Sequence, residues 1–420
     1  MTKHKLPVAI IFDSSDSRDR ISFRCRLANN HKSSFNFRMS QNGPALLLTG
    51  GGAKASYQAG ALKALGEILP QTQSPFRVIC GCSAGAINAA AIGSKADNWL
   101  EATKWLHQIW WNLELKDVYL TNGFSLGKNA LAWISRTAFG GKGGTREIAN
   151  HLLDTKPLSE LLAREINFEN LHRCIESGVL QGMSISALQY FEQTSISFFE
   201  ARTDIQNWER SGRRAVRTRL QAEHVMASSA MPVLFPPICI EDQYYGDGNL
   251  RLGSPLSPAI HLGADRILCI GLRPIRKTSK AVDPSLKRQS PALAEILGEV
   301  LNTVFLDALD ADIERLQRIN EAIKRAPHEV RDQQFPRLRQ IPVFQLTPSR
   351  NLDEVIPSLS HQFPPILRYL LNGLGTSDKK DQGQELLAYL AFFAECVHPL
   401  LNLGYEDTLK RREEILEFMK

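Results

Sequence analysis

Apolar residues recur along this chain with two different periods. From Ala45 to Thr49 they run for about the length of one strand, and three glycines, Gly50, Gly51 and Gly52, stop the run. From Ala53 to Leu69 they return at helical spacing among alanines and leucines, as far as Pro70. Phe76 to Cys80 is a second short apolar run. It leads through Gly81-Cys82-Ser83-Ala84-Gly85 into another Ala-rich helical stretch. Strand, glycine loop, helix, strand, sharp turn, helix is the order of a parallel sheet with crossover helices.

The pattern continues in the same style. Residues 97–165 read as helical, with Trp99, Trp105, Trp110 and Trp111 in one amphipathic segment expected in the core, a lid or lipid-facing patch being the alternative. Within this region Gly140 to Gly144 reads as a loop, and 121–145 as a segment able to overhang a site. Val179 to Leu188 and Ser195 to Phe199 alternate and predict a hairpin or two neighbouring strands. The basic stretch 207–219 reads as a solvated helical face. Ile238 to Ile240 predicts a short strand, Pro255 to Leu262 a helix, and Arg266 to Leu272 a buried strand. Residues 274–292 read as a linker. Leu293 to Ile323 is a long amphipathic helix expected to pack on the core, with a dimer seam as second reading, and Ile341 to Leu346 a last strand. Helical patterns at 363–374, 383–403 and 406–419 complete the chain.

Two of these turns carry chemistry. A serine hydroxyl is a poor nucleophile unless it is held out of its backbone beside a base. Gly-x-Ser-x-Gly between a strand and a helix does the first of these, so Ser83 is the candidate nucleophile, with Gly81 and Gly85 leaving room for the turn. A developing oxyanion needs preorganised N–H donors. Three glycines at a strand end, beside the positive end of a helix, can turn their amides one way, which assigns that role to Gly50, Gly51 and Gly52. Dinucleotide binding by the same glycines is a weaker reading, because the third glycine and the ribose-binding acid are missing. No phosphate-binding loop motif and no metal-ligand spacing occurs, so neither a cofactor nor a metal is expected.

Composition narrows the picture further. Hydrophobic residues make up 43% of the 420, enough for a large core, and no apolar run is long enough to span a bilayer. Seven cysteines, with no Cys-x-x-Cys, read as free thiols of a reducing compartment. The formal charge of +6 is misleading, because eight basic residues against three aspartates in 1–38 supply +5 of it. That segment is expected to be a poorly ordered or untranslated basic tail, with the domain opening at Met39. Nucleic acid is not an expected partner. A cytoplasmic location with transient contact at a membrane surface is.

Taken together, Gly50-Gly51-Gly52-Ala53-Lys54, Gly81-Cys82-Ser83-Ala84-Gly85 and Asp247-Gly248 resemble the patatin-like phospholipase family. Ala227 to Pro232 and Pro255 to Ala259 add to the resemblance, which covers about 45–272 and looks like a bacterial branch. It implies a central, mostly parallel sheet flanked by helices in three layers, with a helical C-terminal extension. Its implied organisation is a tail at 1–38, a catalytic domain at 39–272 and a mainly helical region at 273–420 packed upon it. The implied activity is hydrolysis of lipid carboxylic esters, of phospholipase A or lysophospholipase type, through an acyl-enzyme. Ser83 would attack, Asp247 would be its base, Gly248 would make the turn after the base, and the glycine loop would be the oxyanion hole. The alternative is a catalytically weak or inactive lipid-binding protein on the same fold. The family often carries glycine where this chain has Ala55, and Gly or Ala where it has Asn249. A carboxylate is a weak base toward serine, and desolvation by Tyr244 and Tyr245 would strengthen it. Among ten histidines only His224 lies in a motif-like segment, and it is the competing base.

Overall fold

Strand alternation divides the apolar residues between two faces of one sheet. In the computed structural model the described residues are 42–120, 151–274, 293–326, 338–356, 360–365, 367–369 and 384–420. The expected tail at 1–38, the 121–145 overhang with its glycine loop, and nearly all of the 274–292 linker lie outside them, as does half of the 363–374 pattern. The strands are β1 (Pro44–Leu48), β2 (Val78–Cys82), β3 (Gly182–Gln189), β4 (Thr194–Ala201), β5 (Glu209–Arg210), β6 (Arg213–Arg217), β7 (Ile238–Ile240), β8 (Gln243–Asp247), β9 (Arg266–Ile270) and β10 (Val343–Leu346). They form a single mixed sheet in the order β10-β9-β1-β2-β3-β4-β6-β5, with β8 on β3 and β7 on β8. From β10 to β3 every pairing is parallel.

Successive side chains of a strand point to opposite faces. Leu46, Leu48 and Ile79 join a core under helices α1 (Ser56–Ile68), α2 (Ala84–Gly93) and α3 (Trp99–Trp111). Ala45, Leu47, Val78 and Cys80 join a second core with Leu309, Ile313 and Leu316 of the long helix Leu293–Arg325. The helix Ser257–His261 covers the same face through Ala259. Helices therefore lie on both sides of a mixed sheet. The helix Ala394–Lys410 crosses α1 at very short range. A Cβ on Gly60 would stand 1.9 Å from the Leu401 carbonyl oxygen, and one on Gly404 would stand 2.0 Å from that of Tyr57.

The pairing along β3 decides where the site forms. β4 runs along one edge of β3 for its whole length. On the other edge, Gly182 to Ser186 pair with β2 and Ala187 to Gln189 pair with β8. Where β2 stops at Cys82, opposite Ser186, β8 takes its place with Asp247 opposite Ala187. The residue after Cys82 is thus delivered beside Asp247.

Three expectations are corrected. Residues 207–219 are an edge hairpin, β5 and β6, with no helix. Their arginines are spaced as on a helix, but Arg217 donates to the carbonyls of Ala201, Arg202 and Ile205 and lies over the Phe199 ring, which fixes the strand. The strand expected at Phe76 to Cys80 starts and ends two residues later, because Gly81 and Cys82 still pair with β3. The pattern at 383–403 is broken: helices Gln384–Leu390 and Ala394–Lys410 are separated by Ala391 to Phe393, and Phe392 turns into a cavity described below.

Candidate active site

Ser83 sits between β2 and α2 with φ 54° and ψ −132°, in the left-handed half of the map that non-glycine residues avoid. Such a conformation persists only where its surroundings hold it. Ser83 N–H donates to Ser228 Oγ at 2.9 Å, and Ser228 Oγ donates to the Ser186 carbonyl at 2.6 Å. From the other side Ser229 Oγ donates to the Ser83 carbonyl at 3.1 Å. The close approach of α2 to β1 needs Gly85, whose Cβ would meet the Leu48 carbonyl oxygen at 2.3 Å. Gly81 lies against the first turn of α2, and Gly248 against the Ser186 carbonyl.

Asp247 ends β8 and is fully buried. Its Oδ2 accepts from Ser83 Oγ at 2.5 Å, and its Oδ1 accepts from the Asn249 backbone N–H at 2.9 Å. Burial pushes the carboxyl up to about 7, against the opposing pull of the Ser83 and Asn249 hydrogen bonds. Tyr245, two residues before Asp247 on the same face of the strand, is buried. Tyr244 points the other way and is 56% exposed, so it does not supply the desolvation expected of it.

The two other candidates near the turn are occupied differently. His224 Nδ1 accepts from the Gln221 N–H at 3.1 Å, closing the start of the helix Ala222–Ser228, and the ring meets Phe198 edge-on. Burial holds it down at about 4, and Ser83 Oγ is directed to Asp247 instead. Burial, with the nearby Asp247 carboxylate, pushes the Cys82 thiol well above the ordinary range, so Cys82 is no thiolate rival to its neighbour.

The glycine loop faces this pair. A Cβ on Gly50 would stand 2.5 Å from Ser83 Cβ, and one on Gly51 2.4 Å from Leu272. Gly52 has φ +56°, and its Cβ would strike the Tyr389 carbonyl oxygen at 2.3 Å, so both conformation and space require glycine there. The amides of Gly51 and Gly52 donate to no acceptor among the described residues. Lys54, only 1% exposed, pairs with Asp353 at 2.6 Å and lies over the Tyr389 ring. A buried polar chain braces the loop from below. Trp110 Nε1 donates to Asn88 Oδ1, Asn88 Nδ2 donates to Gln58 Oε1 and the Ala55 carbonyl, and Gln58 Nε2 donates to the Thr49 carbonyl.

A narrow apolar cavity leads away from Ser83 and Gly52. Its walls are Ile87 and Ala91 of α2, Leu106 and Trp110 of α3, Leu162 of the helix Lys156–Glu165, Phe235, Tyr389 and Phe392. Trp110 thus lines the cavity, Trp99 packs in the core against Phe76, and Trp111 stacks on His398 near the surface.

Structure therefore brings together Ser83, Asp247, Gly50, Gly51, Gly52, Gly81, Gly85 and Gly248, and leaves His224 apart from the pair. Sequence reasoning missed Ser228 and Ser229, read only as small packing residues, and the bracing set Gln58, Asn88, Lys54 and Asp353. A signal was present in one of them: Asn88 is a polar residue inside an otherwise apolar helix, and buried polar groups require partners. Among the described residues there is no group of three or more His, Cys, Asp or Glu able to hold a metal ion, and no helix long and apolar enough to cross a membrane.

Comparison with known proteins adds the following. The family model for patatin-like phospholipase matches residues 46–260. No curated protein matches the chain in sequence. Among solved structures, VipD from Legionella pneumophila is similar at 12% identity and a TM-score of 0.33, over 89% of this chain and 67% of that one. Human GIVD cytosolic phospholipase A2, in complex with methyl gamma-linolenyl fluorophosphonate, is similar at 13% identity and a TM-score of 0.39, over 90% and 59%. The type III effector protein ExoU of Pseudomonas aeruginosa is similar at 14% identity and a TM-score of 0.28, over 88% and 53%. The chain thus spans between about half and two thirds of those proteins' lengths.

Proposed function

The chain belongs to the patatin-like phospholipase family, and we propose that it is a lipid acyl hydrolase that cleaves lipid carboxylic esters, in the manner of a phospholipase A or lysophospholipase, with Ser83 as nucleophile and Asp247 as base. The observation that carries this reading is the 2.5 Å hydrogen bond from Ser83 Oγ to a fully buried carboxylate. Ser83 Oγ attacks the acyl carbonyl as its proton passes to Asp247 Oδ2. The carbonyl oxygen becomes an oxyanion, met by the amides of the Gly50–Gly52 loop. Collapse of the tetrahedral intermediate breaks the bond to the leaving alcohol, which takes the proton from Asp247 and departs. An acyl-Ser83 remains. Water then repeats the sequence, giving its proton to Asp247 and its oxygen to the acyl group, and Ser83 recovers its proton as the fatty acid leaves. A carboxyl raised to about 7 is better matched to this work than one near 4. The apolar cavity beside Ser83 takes the acyl chain, in keeping with a long-chain ester.

The protein meets such substrates at a lipid surface. Supporting this, the β3–β4 tip projects beyond Ser186, at the end of the sheet where Ser83 lies, and its Phe191 is 88% exposed beside Tyr190. Tyr244 is also exposed, and the Tyr190 N–H bond to its carbonyl holds it beside that tip. Large aromatics gathered and exposed at one end suit insertion at a membrane interface.

The test is Ser83→Ala on a panel of lipid and p-nitrophenyl esters. Loss on the order of 10⁴–10⁶ in rate with an unchanged fold is expected. Wild-type turnover by the purified variant overturns the reading.

A further inference from the structure

We propose that the side chain of Asn249 is an additional donor of the oxyanion hole, its Nδ2–H group meeting the carbonyl oxygen as Ser83 adds to it. The proposal rests on the Ser83 and Asp247 reading above and deepens it. Asn249 stands two residues after Asp247, where the family resemblance leads one to expect Gly or Ala. It is 5% exposed, and its Nδ2 is buried without a hydrogen-bond partner in the resting protein. An unpaired buried donor is rare, and its desolvation is uncompensated until something accepts from it.

The location of that donor says what could accept. A Cβ placed on Gly50 would lie 2.0 Å from Asn249 Nδ2 and 2.5 Å from Ser83 Cβ. Glycine loop, nucleophile and spare amide hydrogen therefore converge on one point. The backbone of Asn249 is fixed there by its own N–H bond to Asp247 Oδ1, which holds the side chain beside the pair. Nδ2 stands close enough to Asp247 to favour its ionised form, but outside the geometry of a directed hydrogen bond, so it stays available to a second acceptor. During acyl transfer the Oγ–C bond forms, the carbonyl π pair moves to oxygen, and Asn249 shares a proton with that oxygen while keeping it.

The test is Asn249→Ala, with Ser83→Ala as reference, on a soluble p-nitrophenyl ester across pH 5–9. Loss of one oxyanion donor costs on the order of 10²–10³ in kcat elsewhere, and with the glycine amides still present about 10²-fold is expected here. KM should stay in place, while the apparent pKa of the profile should rise, because Nδ2 no longer favours the ionised Asp247. A plateau equal to wild type overturns the proposal, including the case in which only the apparent pKa moves, since Asn249 would then act on Asp247 alone. If Ser83→Ala is equally active, the underlying dyad is wrong. If Ser83→Ala is dead while Asn249→Ala matches wild type, only this inference fails. A second measurement avoids any doubt from folding: in the intact, ¹⁵N-labelled protein, phosphonylation by an alkyl fluorophosphonate should move the Asn249 side-chain amide proton downfield. An unmoved resonance also overturns it.

Discussion

The Ser83 turn and the glycine loop face each other across the site, yet they are held in opposite ways. The turn is fixed by the end of the helix Ala222–Ser228 and by the sheet beneath it: Ser228 and Ser229 grip its amide and carbonyl, and Ser228 is anchored on β3. The loop is fixed largely from outside. Its Lys54 reaches Asp353, Gly52 rests under the Tyr389 carbonyl, and Leu272 covers Gly51. A strained turn clamped at both its N–H and C=O has one geometry. A loop that depends on a distant ion pair has the geometry its partner gives it. The nucleophile is a property of the sheet, and the oxyanion site a property of the sheet plus the C-terminal segment.

Changes on the turn side should then be severe in activity and mild in structure. Asp247→Asn should lower kcat on the order of 10⁴-fold. The wild-type rate should rise with pH toward a plateau with an apparent pKa near 7, because the base acts only when ionised. Stability runs the other way. A carboxyl raised above its unfolded value binds its proton more tightly when folded, so the stability this gives is complete below about pH 4 and lost as pH rises through about 7. Asp247→Asn should accordingly melt a few degrees higher than wild type at pH 8, and scanning calorimetry at pH 5 and 8 checks the sign. A lower melting point at pH 8 would mean that the Ser83 bond outweighs the cost of burying the charge.

On the loop side the effects should be smaller and mixed. Gly52→Ala, with its positive φ and a carbonyl at 2.3 Å from the new Cβ, should lower kcat about 10²-fold, with KM changed little. Asp353→Ala leaves Lys54 buried without its partner and should cost about 3 kcal/mol in urea unfolding. It should also lower kcat about tenfold, the size of a shifted but surviving donor set. Full activity in Asp353→Ala would break the comparison, since the loop would then be self-supporting. Smallest of all, Phe191→Ala should leave soluble-ester hydrolysis unchanged and weaken binding to phosphatidylcholine vesicles several-fold, as a co-sedimentation assay would read.

The same contrast explains what the sequence made legible. The turn announces itself locally, as Gly81 to Gly85, because a strand-to-helix corner requires glycine at fixed spacing, whereas Asp247-Gly248 reads locally only as a tight turn and becomes a base through the family resemblance. The parallel strands β1, β2 and β9 were readable for a similar reason, since each is a short continuous apolar run, while β3 was readable by its alternation instead. What could not be read depends on partners far apart in the chain. Nothing near Lys54 signals Asp353, and nothing near Ser83 signals Ser228. The arginines of β6 have a spacing that fits a helix as well as an edge strand, and only the carbonyls around Arg217 decide between them. The break at Ala391 to Phe393 is invisible in an apolar run, because Phe392 answers to the cavity and not to its neighbours.

The exchange of strands along the edge of β3 also sets a timetable. Ser83 precedes Asp247 by 164 residues, so at ribosomal speeds of ~5–20 residues per second the base emerges roughly ten to thirty seconds after the nucleophile. Until β8 has replaced β2 on that edge, the growing chain holds a serine with no carboxylate beside it, and Asp353 arrives later still. Pairings of such long range are among the last to form. On the dyad reading, a nascent or truncated chain is harmless to the membranes around it, and hydrolytic competence itself reports that the sheet has closed.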